Sequence, residues 1–131
     1  MMQTAALRYQ QVEVTTSGPG EVLVARYDGL FRFLNGSRVC LERGDRPNAS
    51  QLLSKAYAVV SELYIALDHE VAPELCANLE SLYGFCMDRI TFANIHGDQK
   101  AVEEVIRVLT PLREAWGVAV VEAKKEAAKV R

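Results

Sequence analysis

The sequence predicts an all-α fold, an antiparallel up-down-up-down four-helix bundle, on three observations. Apolar residues recur at spacings of three and four along four segments. The four prolines and eight glycines fall mostly between those segments. The connections left over are only a few residues long, too short to carry the chain back to its starting end, so consecutive helices must run antiparallel. At 131 residues the chain has the usual size of one domain and can bury a core without disulfides or a metal. Residues 1–131 are therefore read as a single helical domain.

The first helix is expected to open at Ser17-Gly18-Pro19-Gly20-Glu21, where Pro19 suits a first turn and Glu21 suits the positive helix end. Leu23, Tyr27, Leu30, Leu34 and Leu41 form its stripe, and Arg43-Gly44 its stop. The second helix starts between Asp45 and Asn48, with Pro47 in its first turn. It carries Leu52, Ala56, Val59, Leu63 and Leu67 and ends before Pro73. Pro73 opens the third, in which Cys76, Leu79, Tyr83, Cys86, Ile90 and Ala93 alternate most regularly, and Gly97 closes it. Asp98 then caps a fourth helix bearing Val102, Val105, Leu109, Leu112, Trp116 and Val120. A kink is expected at Pro111, which removes a backbone hydrogen bond and crowds the carbonyl of Arg107. Gly84 and Gly117 sit mid-helix at about 1 kcal/mol each relative to alanine. Gly117 reads as tolerated, and Gly84 as tolerated or as a close backbone approach. Residues 122–131 are charged and alanine-rich, and read as a frayed helix end.

Composition removes several classes of function. The formal charge of −2, with positive residues scattered, leaves no footprint for nucleic acid. Half the residues are apolar, yet none of their runs approaches the roughly 18 residues of a membrane span, and the N-terminus lacks a signal-peptide pattern. A cytoplasmic protein that does not insert into membranes is the expectation. Cys40, Cys76 and Cys86 are odd in number and show no C-x-x-C spacing, so they read as reduced core residues and not as a disulfide framework or zinc site.

Catalytic chemistry is equally sparse. Inward Glu-x-x-His pairs, phosphate loops, nucleophile elbows and H-E-x-x-H are missing, so neither cofactor nor metal is expected and the chain does not read as an enzyme. His69 and His96 fall at predicted helix ends, where a donor near free carbonyls is ordinary. A histidine phosphotransfer bundle is the sharper reading, but Asp68 and Glu70 beside His69 would repel a phosphoryl donor. Glu103, Glu104 and Glu114 share their helix with Arg107 and Arg113, which suits a solvated face. Function must then come from a surface.

Several motifs remain, and they occur in order: Tyr9-Gln10-Gln11-Val12, Thr16 to Glu21, Tyr27-Asp28-Gly29-Leu30, Ala56 with Leu63 to Asp68, Leu82-Tyr83, Asp88-Arg89 through Ala93-Asn94, and Leu109 with Leu112-Arg113-Glu114-Ala115-Trp116. Their order and spacing, from Tyr9 to about Val118, resemble the flagellar secretion chaperone family FliS. Two positions depart from it: Gly18 stands where a serine N-cap is common, and Pro111 where a polar helix former is commoner.

The resemblance implies a cytoplasmic, non-enzymatic export chaperone whose bundle binds the disordered C-terminal segment of flagellin. It would prevent premature polymerisation and assist flagellar type III secretion. Such a client carries apolar helix faces that self-associate unless covered, and apolar furrows between bundle helices would cover them. The resemblance also implies that the N-terminal segment, residues 1–16 with Leu7, Tyr9 and Val12, packs over one groove and shifts when the client arrives. Tyr27, Leu30, Tyr83, Ile90, Asn94 and Trp116 are the other candidate client-binding residues. Leu30, Ile90 and Trp116 read first as core, since they sit on the strongest stripes. Tyr9, Tyr27 and Tyr83 read first as groove rim, because tyrosine joins an apolar body to a polar tip. Asn94 fits equally a client backbone anchor or a pair within the bundle. An export-gate component is a further partner that the family admits and no residue here identifies. The free protein is expected to be a monomer or weak homodimer. The rival reading from another class is a self-associating structural or adaptor bundle.

Overall fold

The computed structural model describes residues 20–130. They form four helices: α1 Gly20–Glu42, α2 Arg46–Ile65, α3 Pro73–His96 and α4 Gln99–Val130. Each helix packs on its neighbour in sequence, and α4 closes the ring against α1. Polar pairs fix the directions. Arg46 at the start of α2 meets Asn94 and Ile95 at the end of α3, while Tyr64 near the end of α2 meets Glu80 near the start of α3. In the same way Glu21 pairs with Lys124 and Asp28 with Arg113, so α1 and α4 run opposite ways. The all-α up-down-up-down bundle is the fold observed.

Local chemistry explains the boundaries. α1 stops where Gly44 takes φ 75°, its amide donating to Leu41 O (3.1 Å) and that of Asp45 to Cys40 O (2.8 Å). This paired return satisfies carbonyls that the helix leaves free. Asp45 caps α2 by accepting from the Asn48 amide (3.3 Å), with Pro47 in the first turn. Pro73 opens α3, and Gly97 at φ 65° ends it. Asp98 caps α4 through the amides of Lys100 (2.9 Å) and Ala101 (3.4 Å).

One stretch differs from expectation. α2 ends at Ile65, so Leu67 lies in the connection of residues 66–72, not on the helix; it is buried all the same and closes that end of the core. Asp68 starts a turn there by accepting from the Glu70 amide (3.1 Å), and its carbonyl accepts from the Cys76 thiol (3.2 Å). Such local bonds compete with helix propagation. At the other end α4 continues as helix to Val130. It runs through Pro111, one residue after Thr110 turns its hydroxyl onto Ile106 O (2.6 Å).

The core is continuous and apolar. Leu23, Leu30 and Leu34 from α1 meet Leu53, Val60 and Leu63 from α2, Leu79 and Ile90 from α3, and Val102, Val105 and Leu109 from α4. Helices of this length gain most of their stability from burying such a stripe and little from propensity. Gly84 is not a close-approach glycine, because nothing among the described residues comes within 4 Å of where its Cβ would be.

Candidate functional site

The motifs singled out in the sequence converge inside the bundle. Tyr27 of α1 and Tyr83 of α3 are 0% and 1% exposed, and their hydroxyls share a hydrogen bond of 2.6 Å. The expectation of a tyrosine rim is corrected here: both residues lie on the a/d-like stripes that face the bundle axis, and the phenolic tips satisfy each other in place of solvent. Burial pushes the Tyr27 hydroxyl up to about 12, against smaller opposing effects of Tyr83 and Trp116. It pushes Tyr83 up as well, reinforced by Tyr27. The half-buried Trp116 of α4 lies beside the pair, its enclosed Nε1 without a hydrogen bond of ordinary geometry. One residue along from Tyr27, Asp28 accepts two bonds from Arg113, at 2.7 Å from Nε and 3.4 Å from Nη2. The Tyr27-Asp28 and Arg113–Trp116 motifs thus form one brace across α1, α3 and α4. Leu30 is also fully buried.

A surface site lies elsewhere, between α2 and α3. A cleft of about 360 Å³ is lined by Leu53, Ser54 and Tyr57 from α2 and by Ile90, Thr91, Asn94 and Ile95 from α3. Leu53 and Ile90, both 1% exposed, form its floor. Tyr57 at 42% and Ile95 at 67% stand as its apolar walls, and Asn94 is a half-buried polar group between them. Of the nine candidate residues, this cleft brings together Ile90 and Asn94. Tyr27, Leu30, Tyr83 and Trp116 belong to the core region instead, and Leu7, Tyr9 and Val12 lie outside the described residues. Leu53, Tyr57 and Ile95 were missed. Part of the signal was present: Leu53 adjoins Leu52 and is the core residue where the stripe named its neighbour, and Tyr57 adjoins Ala56, whereas Ile95 stands two residues past Ala93, off the stripe.

Other exposed apolar groups are spread over the bundle. Phe85 and Phe92 lie seven residues apart on α3, Phe92 meeting the His96 ring at a 45° tilt (4.4 Å between ring centroids) and lying under the Arg89 guanidinium (4.5 Å). Arg89 pairs with Glu104 of α4 at 2.9 Å. Ile65 and Val71 are exposed around the α2–α3 connection.

The ionisable groups take structural places. His69 sits in that connection and bonds Glu80 at 3.0 Å, while His96 is in the last turn of α3. Neither stands exposed mid-helix, as phosphotransfer would need. Burial raises the thiols of Cys76 and Cys86, the latter to about 12, so both resist becoming thiolates. Among the described residues no three His, Cys, Asp or Glu side chains gather as metal ligands. No helix among them is long and apolar enough to cross a membrane.

Comparison with known proteins agrees with the arrangement. The family model described as "Flagellar protein FliS" matches residues 1–123. A flagellar secretion chaperone FliS from Bacillus subtilis is 30% identical over 125 residues, 95% of this chain and 92% of that protein. The Salmonella typhimurium chaperone of the same name is 34% identical over 113 residues, covering 82% of this chain and 84% of its own. A Pseudomonas aeruginosa relative, named flagellar secretion chaperone FliSB, is 30% identical over 116 residues, 86% and 92% of the two chains. These relatives are named as chaperones and not as enzymes. With its four-helix architecture, its motifs joined in one interhelical brace and a match from residue 1 to residue 123, the chain belongs to the FliS family of flagellar secretion chaperones.

Proposed function

We propose that the protein is a cytoplasmic chaperone that binds the disordered C-terminal segment of flagellin, keeps it from polymerising early and hands it to flagellar export. Within a chain of this family, the observation that carries the reading is the α2–α3 cleft. Its floor of Leu53 and Ile90 is closed, its walls of Tyr57 and Ile95 are exposed, and Asn94 offers a donor and an acceptor between them. An amphipathic client helix would lay apolar side chains on that floor, as helix-in-groove recognition requires. The shallow cleft alone cannot hold a client tightly, so an elongated segment that adds contacts over other exposed groups suits it better.

Calorimetry against the last few dozen residues of flagellin from the same organism tests this. Binding should come with a negative heat-capacity change and a gain of helix signal in the peptide. Tyr57→Ala and Ile95→Ala should each weaken it about tenfold while the protein stays folded. A peptide that gives neither heat nor helicity with the parent protein would remove the reading.

A further inference from the structure

The α2–α3 interface is tied at both ends, and the cleft lies toward one of them. At one, Glu80 of α3 accepts from the Tyr64 hydroxyl of α2 (3.1 Å) and pairs with His69 (3.0 Å). At the other, Arg46, the first residue of α2, reaches over the end of α3, where its Nη2 donates to Asn94 O and Ile95 O, both at 3.2 Å. These carbonyls belong to the last helical turn, which lacks onward amide partners and carries the negative end of the helix dipole, so a cationic guanidinium whose Nη2 carries two N–H donors suits them. Among the described residues no carboxylate pairs with Arg46. Gly97 serves the same contact. Its φ of 65° favours glycine, and a Cβ there would lie 2.5 Å from Arg46 Nη1 and 2.8 Å from Cζ.

We infer that Arg46 is a positioning residue for the α2–α3 cleft, holding the last turn of α3 so that Asn94 and Ile95 stand as a wall opposite Tyr57. The turn it holds lies beyond the core, for the last α3 side chains packed inside are those of Ile90 and Ala93, 1% and 0% exposed. Loosening the turn therefore disturbs the cleft wall and leaves the bundle beneath it in place. A client would then find a competent cleft for only part of the time, and its apparent affinity falls by that fraction. The inference rests on the proposed client reading for its binding consequence, but its structural claim stands on the free protein.

The test uses the full chain as parent, Arg46→Met and Arg46→Lys. In the free proteins, NMR should show the Asn94 side-chain amide and the Ile95 methyls shifted toward averaged positions in Arg46→Met. Arg46→Lys should lie between it and the parent, because an ammonium keeps the charge and the donors but sits on a flexible stem without the fixed plane of the guanidinium. Calorimetry with the flagellin C-terminal peptide should show affinity about fivefold weaker in Arg46→Met and partly restored in Arg46→Lys, with melting midpoints close to that of the parent. Parent-like signals at Asn94 and Ile95 in Arg46→Met overturn the inference, as does an affinity loss that only follows a loss of melting temperature. If the parent itself ignores the peptide, the client reading fails, and the free-protein spectra still decide the role of Arg46.

Discussion

Two pairs of elements in this bundle treat tyrosine in opposite ways. Between α1 and α3, Tyr27 and Tyr83 are shut in the core and bond each other; between α2 and α3, Tyr57 leaves 42% of its surface open on the wall of a cleft. The first arrangement is a brace, in which every polar tip but Trp116 Nε1 makes a hydrogen bond of ordinary geometry. The second is incomplete, with apolar walls over a closed floor. The difference sets a closed, internally bonded frame on one side against an open cleft on the other, where the proposed client would bind.

Removing the inner tyrosine should separate the regions most widely. Tyr83→Ala deletes a fully buried ring and leaves the Tyr27 hydroxyl unpartnered, which should cost about 3–5 kcal/mol in urea unfolding. Tyr57→Ala removes a half-exposed ring and should cost less than about 1 kcal/mol by the same measurement, its effect appearing in client binding instead. Equal losses of stability at the two positions would erase the distinction between frame and cleft.

The contrast also explains what the sequence reveals. The four helices were legible because their stripes, the first-turn prolines Pro47 and Pro73, the cap Asp98, and stop glycines Gly44 and Gly97 act locally, and local chemistry is written in neighbouring residues. The brace was legible only as a set of motifs. That Tyr27 meets Tyr83 depends on contacts 56 residues apart, so a tyrosine that reads as a rim residue in isolation becomes a core residue once a second hydroxyl is placed against it. Tyr57 and Ile95 escaped notice for the converse reason: they stand off the stripes, one position past Ala56 and two past Ala93, and only the neighbouring helix turns them into walls. Gly117 likewise read as tolerated, whereas the Arg113 guanidinium lies across it.

A pH titration sharpens the comparison by addressing the frame alone. Burial holds the Tyr27 hydroxyl up to about 12 from its usual 10 and the Cys86 thiol up to about 12 from its usual 9. The folded state thus keeps these protons more firmly than the unfolded chain does. Their contribution is full below the unfolded values and is lost as pH rises toward about 12, at up to about 1.4 kcal/mol per pH unit for each group. Urea midpoints should be level up to about pH 9 and fall beyond it. The double variant Tyr27→Phe/Tyr83→Phe should fall less steeply, with the Cys86 component remaining, and should lose less stability at neutral pH than the two single variants added together, since no lone hydroxyl is left buried. A double variant as steep as the parent would place the alkaline loss outside the brace.

The smallest effect concerns the edge of the brace. A Cβ on Gly117 would lie 2.5 Å from Arg113 Nη1, so in Gly117→Ala the guanidinium must shift, and it is expected to leave Asp28, which it bonds through Nε and Nη2. The pair is partly solvated, with side chains 32% and 45% exposed, and pairs of that kind contribute about 0–1 kcal/mol. Alanine in a helix interior returns about 1 kcal/mol relative to glycine. The two nearly cancel, and the net change in unfolding free energy should stay within about 0.5 kcal/mol. Stability alone therefore cannot report the displacement, but a double-mutant cycle between Asp28→Asn and Arg113→Met can. Their coupling should be measurable in the parent and vanish in the Gly117→Ala background, because the ion pair that couples them no longer forms. A coupling that survives there would mean that Arg113 finds a second route to Asp28 and that glycine at position 117 serves only to be tolerated.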